Sequence, residues 1–378
     1  MRVLHLLALP QLTGPAEPVI DLVRALRAQG AHVDLRVDTR RPGSLRGVLA
    51  AAGEPVPDDL ALSARAGPVA TARDVVRLAR LGRAYDVVHA HLTHDHALAT
   101  MALGAARRPA LVRTVHARRA LVPGPGRRFL LRRARALTVA CEGHRTLLAE
   151  AHGIDPGRVA VDPGSVDATR FHPDPEARAR HRAALSLDGG TFAVGCVARF
   201  QAGRRHEVML DAVARARGGH PGLRLVLIGH GETESRLRAR AEREDLRGAV
   251  AFCGYKQEDL NDWLAALDAA VWLVPGSDAT SRAVLQAMAA ALPVVGGDLD
   301  AIAEAVVPGV TGLLVEPDDP AALAAALGRL AGDPARARAM GAAGRQRARE
   351  RFDPLARGRR VLALYEGLLA EARPAPAP

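Results

Sequence analysis

The chain is read as an α/β protein built from two doubly wound parallel-sheet domains, on three observations. Apolar runs of strand length alternate with amphipathic runs of helix length almost throughout, which implies parallel sheets with helices on both faces. The rhythm breaks once, across DATRFHPDPEARARHRAALSLDGG at 167–190, and then restarts. A length of 378 residues with 48% hydrophobic content is enough for two cores of ordinary size.

Taken in order, RVLHLLAL predicts a strand, VIDLVRALRAQG a helix stopped by Gly30, and HVDLRV a second strand. YDVVHAH, ALVRTVH and LTVAC carry the pattern to RVAVDPGSVD, which closes an N-terminal domain over 1–170. A second domain over 174–353 begins with TFAVGCVARF and runs through LRLVLIGHG, AVAFCGY, AAVWLVPG, LPVVGG and TGLLVEP. The last helix, about 354–372, is expected to pack back on the first domain, and the tail RPAPAP at 373–378 to be disordered. Two such domains facing each other bind ligand in a cleft, at the C-terminal ends of their strands.

Composition narrows the function. No apolar run is long enough to span a membrane, and MRVLHLLALP is too short for a signal peptide, so neither is expected. Cys141, Cys196 and Cys253 are far apart and lack metal-ligand spacing, which suits buried thiols in a reducing, cytoplasmic compartment. The net charge is +11, carried almost wholly by arginine because Lys256 is the only lysine. Between Asp95 and Glu142 there are ten arginines and no acid, including Arg127, Arg128, Arg132, Arg133 and Arg135. That stretch reads either as a solvated face or as a peripheral contact with an anionic membrane. Aromatics at 3% leave few stacking platforms, so nucleic acid is not expected as a partner.

Candidate sites fall at strand ends. Gly14 is the only glycine in the first strand-to-helix loop, short of a dinucleotide fingerprint; it reads as a tight turn or as an anion-binding helix start. VVHAHLTHDH holds His89, His91, His94 and His96, but a dinuclear hydrolase would carry Asp at Thr93, so no metal is expected. Instead His89 and His91 are expected to share a face at a strand end, followed by a polar rim loop. His116 ends a strand. Arg199 and Arg204 follow the second domain's first strand and suit a diphosphate, unless they are ordinary surface arginines. Gly229 and Gly231 form a turn, and Gly254-Tyr255 a loop. Thr280 or Ser281 is expected to cap the helix RAVLQAMAAAL, with Asp278 just before it and Gln286 more than a turn inside.

Together these segments resemble the retaining glycosyltransferases of family 4, over nearly the whole chain. VDPGSVDATRFHP is similar to that family's interdomain signature, VARFQAGRRHEVMLDA to its phosphate-site segment, and LVLIGHGETESRL to its next strand and loop. The block from FCGY to PVV resembles its donor site, and RFDPLARGRRVLALYEGLL its returning C-terminal helix. The resemblance implies the GT-B fold of two facing Rossmann-like domains, no metal or other cofactor, and sugar transfer from a nucleotide diphosphate to an acceptor hydroxyl with retention. It implies that His116 lies near sugar and acceptor and that Arg199 and Arg204 hold the diphosphate, Arg204 standing where lysine is usual. Asp278 and Gln286 occupy the ends of its acidic motif, of which Gln286 is the neutralised member, and Thr280-Ser281 replaces Phe-Gly. The acceptor it implies is a cell-surface glycan or lipid-linked sugar, met at the inner membrane face. A non-catalytic relative binding a nucleotide or protein partner, and a sugar-nucleotide epimerase or phosphorylase, are the competing readings.

Overall fold

The computed structural model describes residues 1–12, 14–104, 109–256, 258–276 and 280–372. The expected tail at 373–378, and Asp278, lie outside the described residues. The chain divides into two compact units: Met1–Ser165 with Ser277–Thr280 and Pro354–Pro378, and Val166–Gly276 with Ser281–Asp353.

The first unit holds strands β1 (Arg2–Leu7), β2 (His32–Val37), β3 (Val87–Ala90), β4 (Ala110–Thr114), β5 (Ala136–Val139) and β6 (Val159–Val161). All pair in parallel in the order β2-β1-β3-β4-β5-β6. The chain therefore reverses direction across the sheet between β1 and β3, where a doubly wound sheet opens a crevice at its carboxyl edge. Alternation along β1 sends Leu4 and Leu6 into one core and Val3 and Leu7 into the other.

The returning helix Pro354–Glu371 is built into the second of these cores. Its Val361, Tyr365 and Leu368 pack with Val3, Leu7 and helix Ala16–Ala28, and Gly358 passes so close that an added Cβ would lie 3.0 Å from the Ala25 carbonyl oxygen. Buried Arg357 grips both oxygens of Asp162 at 2.7–2.9 Å and donates to the Pro18 carbonyl at 2.8 Å. A buried guanidinium needs such a full set of partners; removing one would strand the other charge.

The second unit holds β7 (Phe192–Val197), β8 (Leu223–Ile228), β9 (Val250–Phe252), β10 (Ala269–Trp272), β11 (Val294–Gly297) and β12 (Gly312–Val315), all parallel, in the order β12-β11-β10-β7-β8-β9. Its reversal point lies between β7 and β10. Cores on both faces of the sheet leave the strands as continuous apolar runs, as a sheet covered by helices requires. Among the described residues no helix is long and apolar enough to cross a membrane.

Candidate functional site

In the second unit the predicted residues gather where β7, β8 and β10 end. Beyond β7 the chain makes a single 3-10 turn, Ala202–Arg204, then Arg205 at φ +61°, then the helix His206–Ala216. Arg204 thus closes a turn just before the helix. Its guanidinium lies against Gly276 beyond β10: a Cβ there would sit 2.7 Å from Nη1 and 2.8 Å from Nη2. This is the reversal point of the sheet. Nη1 is buried without a hydrogen-bond partner among the described residues, and desolvation pushes the Arg204 pKa down. Arg199 is exposed.

The two loop glycines of β8 serve close approach. A Cβ on Gly229 would lie 2.0 Å from the Ala198 carbonyl oxygen, and one on Gly231 2.3 Å from that of Phe200. Only hydrogen side chains let the loops lace together, with Phe200 N donating to His230 O and Thr233 N to Phe200 O. Gly229 N also donates to Gly254 O at 2.8 Å, and the exposed Tyr255 ring stands edge-on to His230. Thr233 Oγ1, beside this lacing, is buried and unpartnered among the described residues.

Helix Arg282–Ala289 corrects one expectation. Ser281 occupies its N-cap in the left-handed region at φ +51°, and its hydroxyl makes no cap bond. A side-chain cap needs an extended residue there, so the left-handed backbone turns Oγ away from the first-turn amides. Oγ is buried without a partner among the described residues. Thr280 is buried and groups with the first unit. Gln286 is buried, and so is every residue from Val284 to Ala289, so this helix is covered all round over those positions. Burial pushes the Arg282 pKa down to about 10.

In the first unit His116 lies just past β4 and is buried. Gly14 takes φ +53° ahead of Pro15, which starts helix Ala16–Ala28 without a side-chain cap. After β3 the expected polar rim loop is absent: a helix, Thr93–Leu103, begins at once. Buried Asp95 drives it, accepting from Leu92 N at 2.7 Å and Ala8 N at 3.1 Å and so tying the β1 and β3 ends together. Burial raises its pKa to about 6, against the pull of Arg113.

A polar stripe crosses the apolar face of this sheet. His89 bonds Tyr365 through Nδ1 at 2.6 Å and Thr114 through Nε2 at 2.7 Å, and Thr114 bonds Thr138 at 2.6 Å. His5 Nδ1 meets His91 Nε2 at 2.8 Å, and His91 Nδ1 meets His116 Nε2 at 3.1 Å. His89 and His91 stack at 4.4 Å, as their spacing on one strand requires. Desolvation first, then Arg357 and Arg27 for His5, Arg113 and Arg357 for His116, and mainly neighbouring histidines for His89 and His91, hold all four imidazoles neutral: His5 falls to about 3 and the others well below their usual value. Nitrogens of His5, His89 and His91 lie within 4.8 Å of one another. The set nevertheless fits a divalent cation badly: most of these nitrogens are already hydrogen-bonded, and the neighbouring charges are guanidiniums.

Two family models match the chain, "Glycosyltransferase Family 4" over residues 14–170 and "Glycosyl transferases group 1" over 191–333. D-inositol 3-phosphate glycosyltransferase of Acidothermus cellulolyticus is 31% identical over 94% of this chain and 86% of its own length. The chain belongs to the family 4 glycosyltransferases. Another relative, the GDP-mannose-dependent alpha-(1-6)-phosphatidylinositol monomannoside mannosyltransferase of Mycolicibacterium smegmatis, is 32% identical over 64% of this chain and 66% of that one. Among solved structures, Anabaena HepE with UDP-glucose matches at a TM-score of 0.81 and 20% identity, covering 97% of this chain and all of that one. Sucrose-phosphate synthase of Thermosynechococcus elongatus matches at 0.76 and 21%, covering 98% of this chain and 100% of that one. At such identities they show the shared GT-B fold of this glycosyltransferase. Against the family pattern, Ser281 stands in the place of a glycine and holds the left-handed backbone that glycine takes most cheaply. Of the partners that sequence reasoning missed, His5 and Tyr365 are polar residues within apolar runs, and Asp95 stands between His94 and His96.

Proposed function

We propose that this glycosyltransferase moves a sugar from a nucleotide diphosphate sugar to an acceptor hydroxyl, keeping the anomeric configuration and using no metal. The observation that carries the reading is Arg204, a half-buried guanidinium at the reversal point between β7 and β10 with Nη1 unpartnered among the described residues. An orphaned charged donor beside an uncapped helix start is an arrangement that an anion completes. With Arg199 it would hold the diphosphate, whose charge grows as the sugar leaves, so the stabilisation is larger in the transition state than in the ground state. Gln286 would meet the ribose hydroxyls where a carboxylate is usual. Asp278, by the family resemblance, would contact the sugar, and His116 would lie near sugar and acceptor. The acceptor is taken to be a surface glycan or lipid-linked sugar at the inner membrane face, in keeping with relatives named for phosphatidylinositol mannosides and a lipopolysaccharide core.

The test is a panel of nucleotide sugars read by thermal shift and nucleotide release. One nucleoside diphosphate class should stabilise the protein and turn over; Arg204→Ala should remove the shift. Gln286→Glu should tighten donor binding about ten-fold, since a charged acceptor adds roughly 1 to 2 kcal/mol over a neutral one. No binding at millimolar nucleotide would end the proposal. Because Gln286 is neutral, a non-catalytic nucleotide binder is the second reading; binding without turnover, unchanged by Gln286→Glu, would favour it.

A further inference from the structure

The imidazole chain His5–His91–His116 has two possible polarities, because each neutral ring carries one N–H and one lone pair. Its inner end decides between them. His5 Nε2 is buried without a partner among the described residues, and the charges acting on His5 are those of Arg357 and Arg27. A buried orphan N–H is the rarer and costlier defect, and positive neighbours favour a bare lone pair over a hydrogen. With Nε2 of His5 bare, its proton sits on Nδ1 and is donated to His91 Nε2. His91 must then carry its own proton on Nδ1 and donate it to His116 Nε2. His116 is left with its proton on Nδ1, the open end of the chain.

We propose that His5 and His91 are positioning residues that fix the tautomer of His116, so that His116 Nδ1 donates a hydrogen bond to an oxygen of the bound sugar or acceptor. His116 is then a hydrogen-bond donor, not the base that removes the acceptor proton. The proposal rests on the transferase reading for what His116 faces, but the tautomer can be measured without any substrate. No covalent step is added.

The experiment is a long-range nitrogen–proton correlation spectrum of the full chain labelled with nitrogen-15 histidine, the His116 signals being assigned by their loss in His116→Asn. The expected result is Nδ1–H for His116 in the unsubstituted protein. A proton on Nε2 overturns the proposal with no need of a variant. His91→Glu puts a carboxylate acceptor where the N–H donor stood; it should shift His116 to the Nε2–H form. With a nucleotide sugar that turns over, kcat should fall about ten- to a hundred-fold, the usual loss when a reacting partner is misplaced, while the donor KM changes less than about two-fold. His91→Gln, whose amide can donate to Nε2, should restore both the tautomer and much of kcat. An unchanged tautomer and kcat in His91→Glu also overturns the proposal. Should the tautomer be as expected while no nucleotide sugar is turned over, the transferase reading fails and the positioning of the ring stands.

Discussion

Gly276 and Gly229 lack a side chain for different reasons, and substitution separates them. A methyl on Gly276 would meet only the far end of the Arg204 side chain, at 2.7 Å, which can swing away. Gly276→Ala should therefore leave stability within about 0.5 kcal/mol of the parent, yet abolish the nucleotide-induced thermal shift as Arg204→Ala does. A methyl on Gly229 would meet a carbonyl oxygen at 2.0 Å, at a residue held at φ +152°. Backbone cannot yield so easily, so Gly229→Ala should cost roughly 2 kcal/mol or more in urea unfolding. If Gly276→Ala instead keeps the shift, the guanidinium is not where the nucleotide binds.

At the scale of elements, the basic segment resolves into arginines with different duties. On helix Arg127–Arg133 and its flanks, Arg127 donates to the carbonyls of Val122 and Arg119, Arg132 to that of Gly153, and Arg135 pairs with Glu371 at 3.3 Å. Arg128 and Arg133 are exposed, with Phe129 56% exposed between them and the Arg133 guanidinium 4.7 Å from its ring. Exposed Phe flanked by arginine suits the headgroup layer of an anionic membrane better than a bare charge cluster does. Co-sedimentation with anionic liposomes should weaken in 0.5 M salt and in Phe129→Ala; equal binding to neutral liposomes would refute an electrostatic contact.

The strands were legible in sequence because a sheet covered on both faces writes itself as apolar runs. Helices Ser44–Ala51 and Pro68–Gly82 were not: the first is only eight residues long with Gly47 inside it, and the second opens on Gly67-Pro68, which reads as a turn. The site was half legible: Arg204 and the glycines announce themselves at strand ends. The imidazole chain does not, because His5, His91 and His116 come from three different strands or the residues just past them, and only the register of β1, β3 and β4 brings them together. Nor can local pattern pair Asp162 with Arg357, 195 positions apart.

For the molecule as a whole, buried neutral histidines set the response to acid. His5, His89, His91, His96 and His116 in the first unit have pKa values pushed far below the usual 6.5 by burial, whereas in the second unit burial does this to His206, which falls to about 4. Unfolded chains take up these protons below pH 6.5 and the folded chain does not, so stability falls as pH drops, by up to about 1.4 kcal/mol per pH unit for each such group. Asp95 opposes this as a single group, gaining its proton near pH 6 in the folded state and only near 3.8 in the unfolded one. Between pH 7 and 5 the first unit should therefore become protease-sensitive before the second, with the urea midpoint falling across the same window. A midpoint independent of pH there would contradict the burial of these rings.

The returning helix also orders events at the ribosome. Residues up to Ser165 emerge before the second unit, but their core lacks Val361, Tyr365 and Leu368, and Asp162 lacks Arg357, until helix Pro354–Glu371 is made. The second unit, complete by Asp353, has all its partners earlier. Translation thus delivers the first unit's sequence before the second's and permits its completion after it, leaving the apolar patch that Val361, Tyr365 and Leu368 cover open throughout synthesis of the unit between.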